Sequence, residues 1–574
     1  MFKPNTLYYS DGYKVGHKRM LAPGTTRLYG TWIPRSLKHA PKGITKIVSF
    51  GQQLTVKWLH DEFTENFFKL PLEDAMQFPE DMKLYLGMDY DGEHFKQLHK
   101  LQYLPIKIKS LPEGIETDPN IPHMTFINTV DGFAWLTLYL ETLISSLAWK
   151  SATSATLALQ YKRNATEWVM KTDPDQAFLI PFLCHDFSAR GLDPFSMLSS
   201  GLGHATSFRG SDTLICIPGA RYFYNEPKDQ VCINSVNASE HSVSTTKIFT
   251  VGEKQMIIDW LKEFPTGILS IVADTFDLWK LLVEYLADPE VKALILARDG
   301  KLVIRPDSGD PVDIICGKLY PIIEDGIDYS EIPAFFNYKS TNYANKFTEY
   351  HIGGQLREKT IDIARKDSKI GLLSKDSFKE TYDRGWFYKL YEAEKIGVIE
   401  TLWNIFGGTI NKQGFKVLDS HIGAIYGDSI TLDRQVQIYS RLANKGFAST
   451  NIVLGVGSFT YQYNTRDTLG FAAKGAWFEI NENKLNPTGW MDDAYPKLKS
   501  YDIYKDPVTD DGTKKSLKGL CAVYDYASDS EAKIYVKEQC TWEEESQGIL
   551  RIIYEDGNFH NQTTLQEIRE RLKV

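Results

Sequence analysis

At 574 residues the chain is too long for one average domain, and a hydrophobic fraction of 43% can fill large cores. A formal charge of −9 excludes a general polyanion-binding surface, so any phosphate binding has to be local. The six cysteines (Cys184, Cys216, Cys232, Cys316, Cys521, Cys540) show no CxxC pairing, and Met1-Phe2-Lys3-Pro4-Asn5 has no signal-peptide core; both fit a cytoplasmic protein with reduced thiols.

Residues 1–150 mix strand-like runs (Arg27–Ile33, Lys46–Phe50, Pro105–Lys109) with helices such as Gln53–Phe68, as expected of an N-terminal α/β domain. Phe133–Trp149 is apolar, but Glu141 and Ser145-Ser146 interrupt it, which predicts a buried helix rather than a membrane span. From 151 to 467 short apolar runs alternate with helical patterns. These runs are Phe178–Leu183, Thr213–Pro218, Gly267–Ala273, Lys301–Ile304, Ala424-Ile425-Tyr426 and Asn451–Leu454. Fully apolar runs of this length predict buried parallel strands in βα units. Between about 316 and 396 a polar, Tyr- and Lys-rich stretch breaks the rhythm and reads as an insertion, a lid or a subunit contact. Residues 468–574 return to strand-like sequence at Ala476–Ile480 and Ile549–Tyr554. The expected fold is α/β: an irregular (β/α) barrel, with an additional α/β domain built from the N- and C-terminal segments.

Several apolar runs end in polar residues, and strand C-terminal ends are where a barrel gathers its site. Lys301–Ile304 ends at Arg305-Pro306-Asp307-Ser308-Gly309, a cation beside a carboxylate. That pair suits an anionic sugar, the guanidinium taking a phosphate or carbonyl oxygen and the carboxylate two ribose hydroxyls. The runs before Gly427-Asp428-Ser429 and Gly455-Val456-Gly457-Ser458 end in glycine-bearing loops of the kind that hold phosphate. The residues point to a phosphorylated-sugar site.

With these residues in view, the chain resembles the nicotinamide phosphoribosyltransferases, a type II phosphoribosyltransferase family. The resemblance runs from Ser10-Asp11-Gly12-Tyr13-Lys14 through His185-Asp186-Phe187, Phe208–Thr213, Glu240-His241-Ser242 and Asp274–Asp277. It continues through Ile304–Gly309, Gly427-Asp428 and Thr465-Arg466-Asp467 to Lys505-Asp506-Pro507 and Lys518-Gly519. It implies transfer of phosphoribosyl from phosphoribosyl pyrophosphate to nicotinamide, giving nicotinamide mononucleotide and pyrophosphate on the salvage route to NAD.

The resemblance also implies roles. Phe187 and Tyr13 sandwich the flat pyridine, Tyr13 coming from the partner subunit of a homodimer, with Asp11, Arg190 and Arg305 around the base. Asp212 accepts the N–H of the amide and repels the carboxylate of nicotinate. Arg305, Asp307, Gly427, Asp428, Gly457 and Ser458 hold the phosphoribosyl group, and Arg35, Arg466, Lys474, Lys505 and Lys514 the pyrophosphate. Mg2+ travels largely on substrate oxygens, with no dedicated metal site in the protein. His241 takes a phosphoryl group from the co-substrate ATP, oriented by Asp274 rather than by its neighbour Glu240, and Asp307 completes the catalytic set. Three departures stand out. Gly457-Ser458-Phe459 replaces a longer glycine run, Ser188-Ala189 replaces Gly-Tyr, and Gly12 replaces serine. Alternatives are a nicotinate phosphoribosyltransferase, a barrel glycosidase using Asp274 and Asp307 as paired carboxylates, or a non-catalytic binding protein. No partnership with nucleic acid or membrane is expected.

Overall fold

The computed structural model describes residues 3–317, 392–427, 429–484, 497–509, 515–528 and 531–573, with short strands at 322–323, 345–352 and 355–363. Asp428, Lys514 and most of the 316–396 stretch lie outside the described residues. The chain begins with three antiparallel strands, β1 (Thr25–Pro34), β2 (Ile106–Ser110) and β3 (Met124–Asn128). Ile106-Lys107-Ile108-Lys109-Ser110 alternates buried and half-buried positions, the period of two of a sheet with one wetter face. Helix α1 (Gln52–Phe63) follows β1, and the long helix α2 (Glu141–Thr172) follows β3.

A parallel sheet comes next, from β4 (Cys184–Asp186), β5 (Gly210–Ser211), β6 (Asn237–Ala238), β7 (Thr266–Val272), β8 (Asp299–Arg305), β9 (Ile422–Tyr426) and β10 (Ile452–Val456). Its order is β5-β4-β10-β9-β8-β7-β6. The sheet curls, for an isolated bridge joins Gly210 on one edge to Asn234, which leads into β6 on the other edge. The chain then returns to the first sheet with β11 (Phe471–Asn481), β12 (Leu498–Asp502), β13 (Arg551–Glu555) and β14 (Asn558–Phe559), giving the order β12-β11-β1-β3-β2-β13-β14. The fold is mixed α/β with a curled parallel sheet.

Helix α2 ties the two sheets together. Near its start Glu141 pairs with Lys474 of β11, and further along Tyr161 donates to the carbonyl of Ile430 beyond β9. Among the described residues no helix is long and apolar enough to cross a membrane, and Phe133–Trp149 falls in buried helices, as its charge and serines predict.

Two predicted strands are displaced. Phe178–Leu183 lies mostly in a 3-10 turn, Pro174–Phe182, and the strand starts only at Cys184. Pro181 lacks the N–H that a central strand needs. Thr213–Pro218 turns into helix Cys216–Phe223, leaving Gly210-Ser211 as the strand. At the other end, Gly455-Val456 continues β10 rather than opening the loop. Gly317 and Gly397, which flank the expected insertion, are in backbone contact and both have positive φ. The chain thus leaves and returns at one point behind helix Pro311–Cys316.

Candidate active site

Strands β6, β7 and β8 are neighbours in parallel register, so the residues just past their C-terminal ends meet. His241 opens helix α3 (His241–Val251), Asp274 follows β7, and Asp307 follows β8. His241 Nε2 stands 3.8 Å from both Asp274 Oδ1 and Asp307 Oδ2, and its Nδ1 lies 3.3 Å from Thr275 Oγ1. Distances of 3.8 Å exceed a hydrogen bond, so the two carboxylates flank the imidazole without bonding it. Asp274 Oδ2 accepts from the Asp307 N–H at 3.0 Å and the Ser308 hydroxyl at 2.5 Å. Its Oδ1 is buried and has no hydrogen-bond partner among the described residues. The first turn of α3 adds a positive helix end beside the imidazole, which favours an anion there.

A cavity of about 480 Å3 opens inside the curl, lined by His185, Phe187, Asp212, Ser235, Arg305 and apolar residues of β7 to β10. Asp212 Oδ1 accepts from His185 Nε2 at 2.9 Å and Ser235 Oγ at 2.5 Å. Burial pushes this carboxyl up, but those hydrogen bonds and the charges of His185 and Arg305 outweigh it and hold it below the ordinary value. Arg305 donates to the Ser239 carbonyl at 3.0 Å and has its guanidinium 6.0 Å from the centre of the Phe187 ring. Its Nε is buried with no hydrogen-bond partner among the described residues. A flat aromatic amide finds here a ring face, an ionised acceptor and a cation.

His185 and Ser235 were not among the predicted site residues. The sequence carries a signal for His185, because residues two apart along a strand share a face and Phe187 is a predicted site residue. Asp186, on the opposite face, is fully buried and accepts from the Ser188 N–H and the Ser211 and Thr213 hydroxyls. It braces the loop rather than meeting a ligand.

The two glycine loops adjoin because β9 pairs with β10. A Cβ on Gly427 would overlap the Asp307 carboxylate, and one on Gly455 would overlap the carbonyls of Tyr426 and Gly427. Gly457 leads into a π turn, Ser458–Gln462. Tyr461 of that turn accepts, through its carbonyl, from the buried Lys150 amine of α2, and its hydroxyl bonds His204 Nδ1 at 2.7 Å.

The remaining predicted residues gather elsewhere. Asp11 Oδ2 accepts from Thr142 Oγ1 at 2.5 Å, and Tyr13, beside it, is 68% exposed. Lys474 Nζ binds Glu141 at 2.6 Å, and Lys14 binds the same carboxylate at 2.9 Å. Arg466 pairs with its neighbour Asp467, Arg35 donates to the Gly470 carbonyl, and Lys505 sits in an exposed segment whose N–H donates to Ser516. Arg190 is exposed on the turn after β4. Among the described residues no hydrogen bond, ion pair or ring contact joins Asp11, Tyr13, Arg466 or Lys474 to Phe187, Asp212 or His241.

The profile of the nicotinate phosphoribosyltransferase (NAPRTase) family matches residues 182–544. The chain is 35% identical, over its whole length and 97% of the relative, to an Acinetobacter baylyi protein named nicotinamide phosphoribosyltransferase. A Mycoplasma pneumoniae protein of the same name is 28% identical, covering 89% of this chain and 94% of its own. Among solved structures, human Nicotinic Acid Phosphoribosyltransferase aligns with a TM-score of 0.48 at 14% identity, over 99% of this chain and 92% of that one.

Proposed function

Because the chain belongs to the nicotinate phosphoribosyltransferase family, we propose that it transfers the phosphoribosyl group of phosphoribosyl pyrophosphate to nicotinamide, giving nicotinamide mononucleotide and pyrophosphate. The observation that carries the choice of base is Asp212, held ionised by His185 and Ser235 in the cavity shared with Phe187 and Arg305. A carboxylate accepts the amide N–H of nicotinamide and repels the carboxylate of nicotinate.

In this reading Phe187 stacks on the pyridine, Arg305 takes the amide oxygen or the ribosyl phosphate side, and Asp307 holds ribose hydroxyls as the centre becomes oxocarbenium-like. Tyr13 comes from the partner subunit of a homodimer, and Arg35, Arg466 and Lys474, outside the barrel or at its edge, fit a pyrophosphate site that lies between two subunits. The lack, among the described residues, of a hydrogen bond, ion pair or ring contact from Tyr13 to Phe187 supports this, as does the exposure of Tyr13. Glu141 already neutralises Lys474, so pyrophosphate has to compete for that amine. Mg2+ is carried mainly by substrate oxygens, and no cluster of three His, Cys, Asp or Glu suited to a metal occurs among the described residues. When bound, the ion would neutralise the leaving pyrophosphate. ATP phosphorylates His241. Both carboxylates approach Nε2 and orient the ring, and attack through Nδ1 would require that nitrogen to leave the Thr275 hydroxyl 3.3 Å away.

The parallel sheet is read as an irregular (β/α) barrel, 151–467, with a second α/β domain from 1–150 and 468–574, in a cytoplasmic protein. The 316–396 insertion is assigned to the site mouth or the subunit contact. The test is incubation with Mg2+, phosphoribosyl pyrophosphate and either nicotinamide or nicotinate, with identification of the nucleotide. Nicotinate mononucleotide as the main product would overturn the choice of base, and no nucleotide from either base would overturn the reaction.

A further inference from the structure

The phosphoribosyl residues read from the sequence supply two carboxylates, Asp307 and Asp428, with backbone N–H groups and one hydroxyl, but only one cation, Arg305. That guanidinium stands toward the base end, donating to the Ser239 carbonyl near the face of Phe187. A sugar 5′-phosphate carries close to two charges at neutral pH, and backbone donors alone leave them poorly matched.

Arg434 is a cation beside both glycine-bearing loops. It sits in the first turn of α4 (Leu432–Asn444), whose N-cap Thr431 accepts from the Arg434 N–H at 3.2 Å. Its Nη1 donates to the Ser429 carbonyl, in the loop after β9, at 2.6 Å. Its guanidinium lies 5.8 Å from the centre of the Phe459 ring, in the turn after β10. The side chain therefore spans the two glycine-bearing loops, which are themselves stitched together by the Thr460 hydroxyl on the Ile430 carbonyl at 3.2 Å. Arg434 also opposes the rise that burial and the carboxylates Asp274, Asp307 and Asp310 impose on the Tyr426 phenol, so its charge is felt at the catalytic end. Among the described residues it has no carboxylate partner. A guanidinium has five N–H donors, and a single carbonyl uses one.

Resting on the phosphoribosyltransferase reading, we propose that Arg434 binds the 5′-phosphate of the phosphoribosyl substrate and product, as a planar fork across the loops that follow β9 and β10. Stacking on Phe459 fixes the plane of the fork, and the bond to Ser429 fixes its reach. Phe459, standing where the family has glycine, then serves as the platform for this cation.

The experiment compares two ligands that differ only in the phosphate, nicotinamide mononucleotide and nicotinamide riboside. Their affinities are measured by calorimetry for the wild-type protein, Arg434→Gln and Arg434→Lys. Arg434→Gln is expected to lose about 10- to 100-fold in affinity for the mononucleotide, the scale of a charge-assisted pair, with riboside affinity unchanged. Arg434→Lys keeps the charge but not the fork, so it retains part of the mononucleotide preference. It also keeps an aliphatic stem over Phe459, and it carries the test alone if Arg434→Gln does not fold. Equal losses for both ligands, or no loss for either, would overturn the assignment and leave Arg434 a structural stack on Phe459. A wild-type protein that binds neither ligand would refute the transferase reading and this proposal with it.

Discussion

Replacing Asp212 with Asn removes one charge from the cavity and changes little of its shape. The Asn oxygen can still accept from His185 and Ser235, which both bond Oδ1 in the native chain, while its NH2 becomes a donor. For nicotinamide the loss is a charge-assisted hydrogen bond, and for nicotinate the gain is relief from a like charge. Two unit charges about 4 Å apart near a protein surface interact by about 4 kcal/mol. The Asp212 side chain is 44% exposed, so water screens that value and about 1–3 kcal/mol is the working range. The ratio of kcat/KM for nicotinamide over nicotinate should fall about 5- to 150-fold, measured for both bases at saturating phosphoribosyl pyrophosphate. In the native enzyme the charged form of Asp212 is favoured below its ordinary range, so the preference should stay flat from about pH 5 upward. An unaltered ratio in Asp212→Asn would remove Asp212 from the base site.

His241→Ala should abolish ATP stimulation and ATP hydrolysis while leaving slow, ATP-independent transfer; an acid-labile, ATP-derived phosphoprotein in this variant would put the phosphorylated residue elsewhere. Gly427→Ala and Gly455→Ala separate function from packing. At Gly427 the new methyl meets the Asp307 side chain, so KM for phosphoribosyl pyrophosphate should rise with little change in thermal midpoint. At Gly455 it meets backbone carbonyls, which cannot swing away, so stability should drop by about 1–3 kcal/mol in a denaturant titration. Lys150 is 4% exposed, and burial lowers its amine to about 8. Above that pH the folded chain binds fewer protons than the unfolded one, whose lysine titrates near 10.5, so this group adds stability as pH rises from about 8 to about 10.5. Lys150→Met should flatten that part of the melting-temperature profile, and an identical profile would show that the amine is not perturbed.

The parallel strands and their chemistry were legible because both are local. Short apolar runs reported β7, β8 and β9, and the residues at the ends of β7 and β8 reported Asp274, Arg305 and Asp307, while His241, after the two-residue strand β6, came from the family resemblance; their convergence needs only parallel neighbours. The first sheet was legible in its strands but not in its pairing. Trp32 of β1 lies opposite Ala473 of β11, and no pattern in either segment encodes a partner so distant in the chain. Arg434 was illegible for a different reason. On an amphipathic helix a charge in the first turn reads as a solvated face, and only the loops beside it give it a task.

The three departures from the family pattern show how far a single sequence can be read residue by residue. Gly12 looks like a lost hydroxyl, yet a Cβ there would overlap the Tyr85 hydroxyl, so a phenol from helix Gln77–Leu86 fills the place of a side chain. Ser188-Ala189 looks like a lost aromatic. In the fold the Ser188 N–H is held by Asp186 at 2.9 Å and its carbonyl accepts from Gln462 at 2.9 Å, which ties the base loop to the phosphate turn. Ser458-Phe459 looks like lost backbone access, and Phe459 instead meets the guanidinium of Arg434. Tyr85, Gln462 and Arg434 are each remote in sequence from the position they meet and close to it in space. A substitution that breaks a local motif is therefore weak grounds for loss of function until the neighbours of that position are known, and swapping the family residues back one at a time should disturb these contacts. Restoring Gly at 459 alone removes the platform under Arg434, so it should weaken mononucleotide binding in the native chain and leave it unchanged in Arg434→Gln.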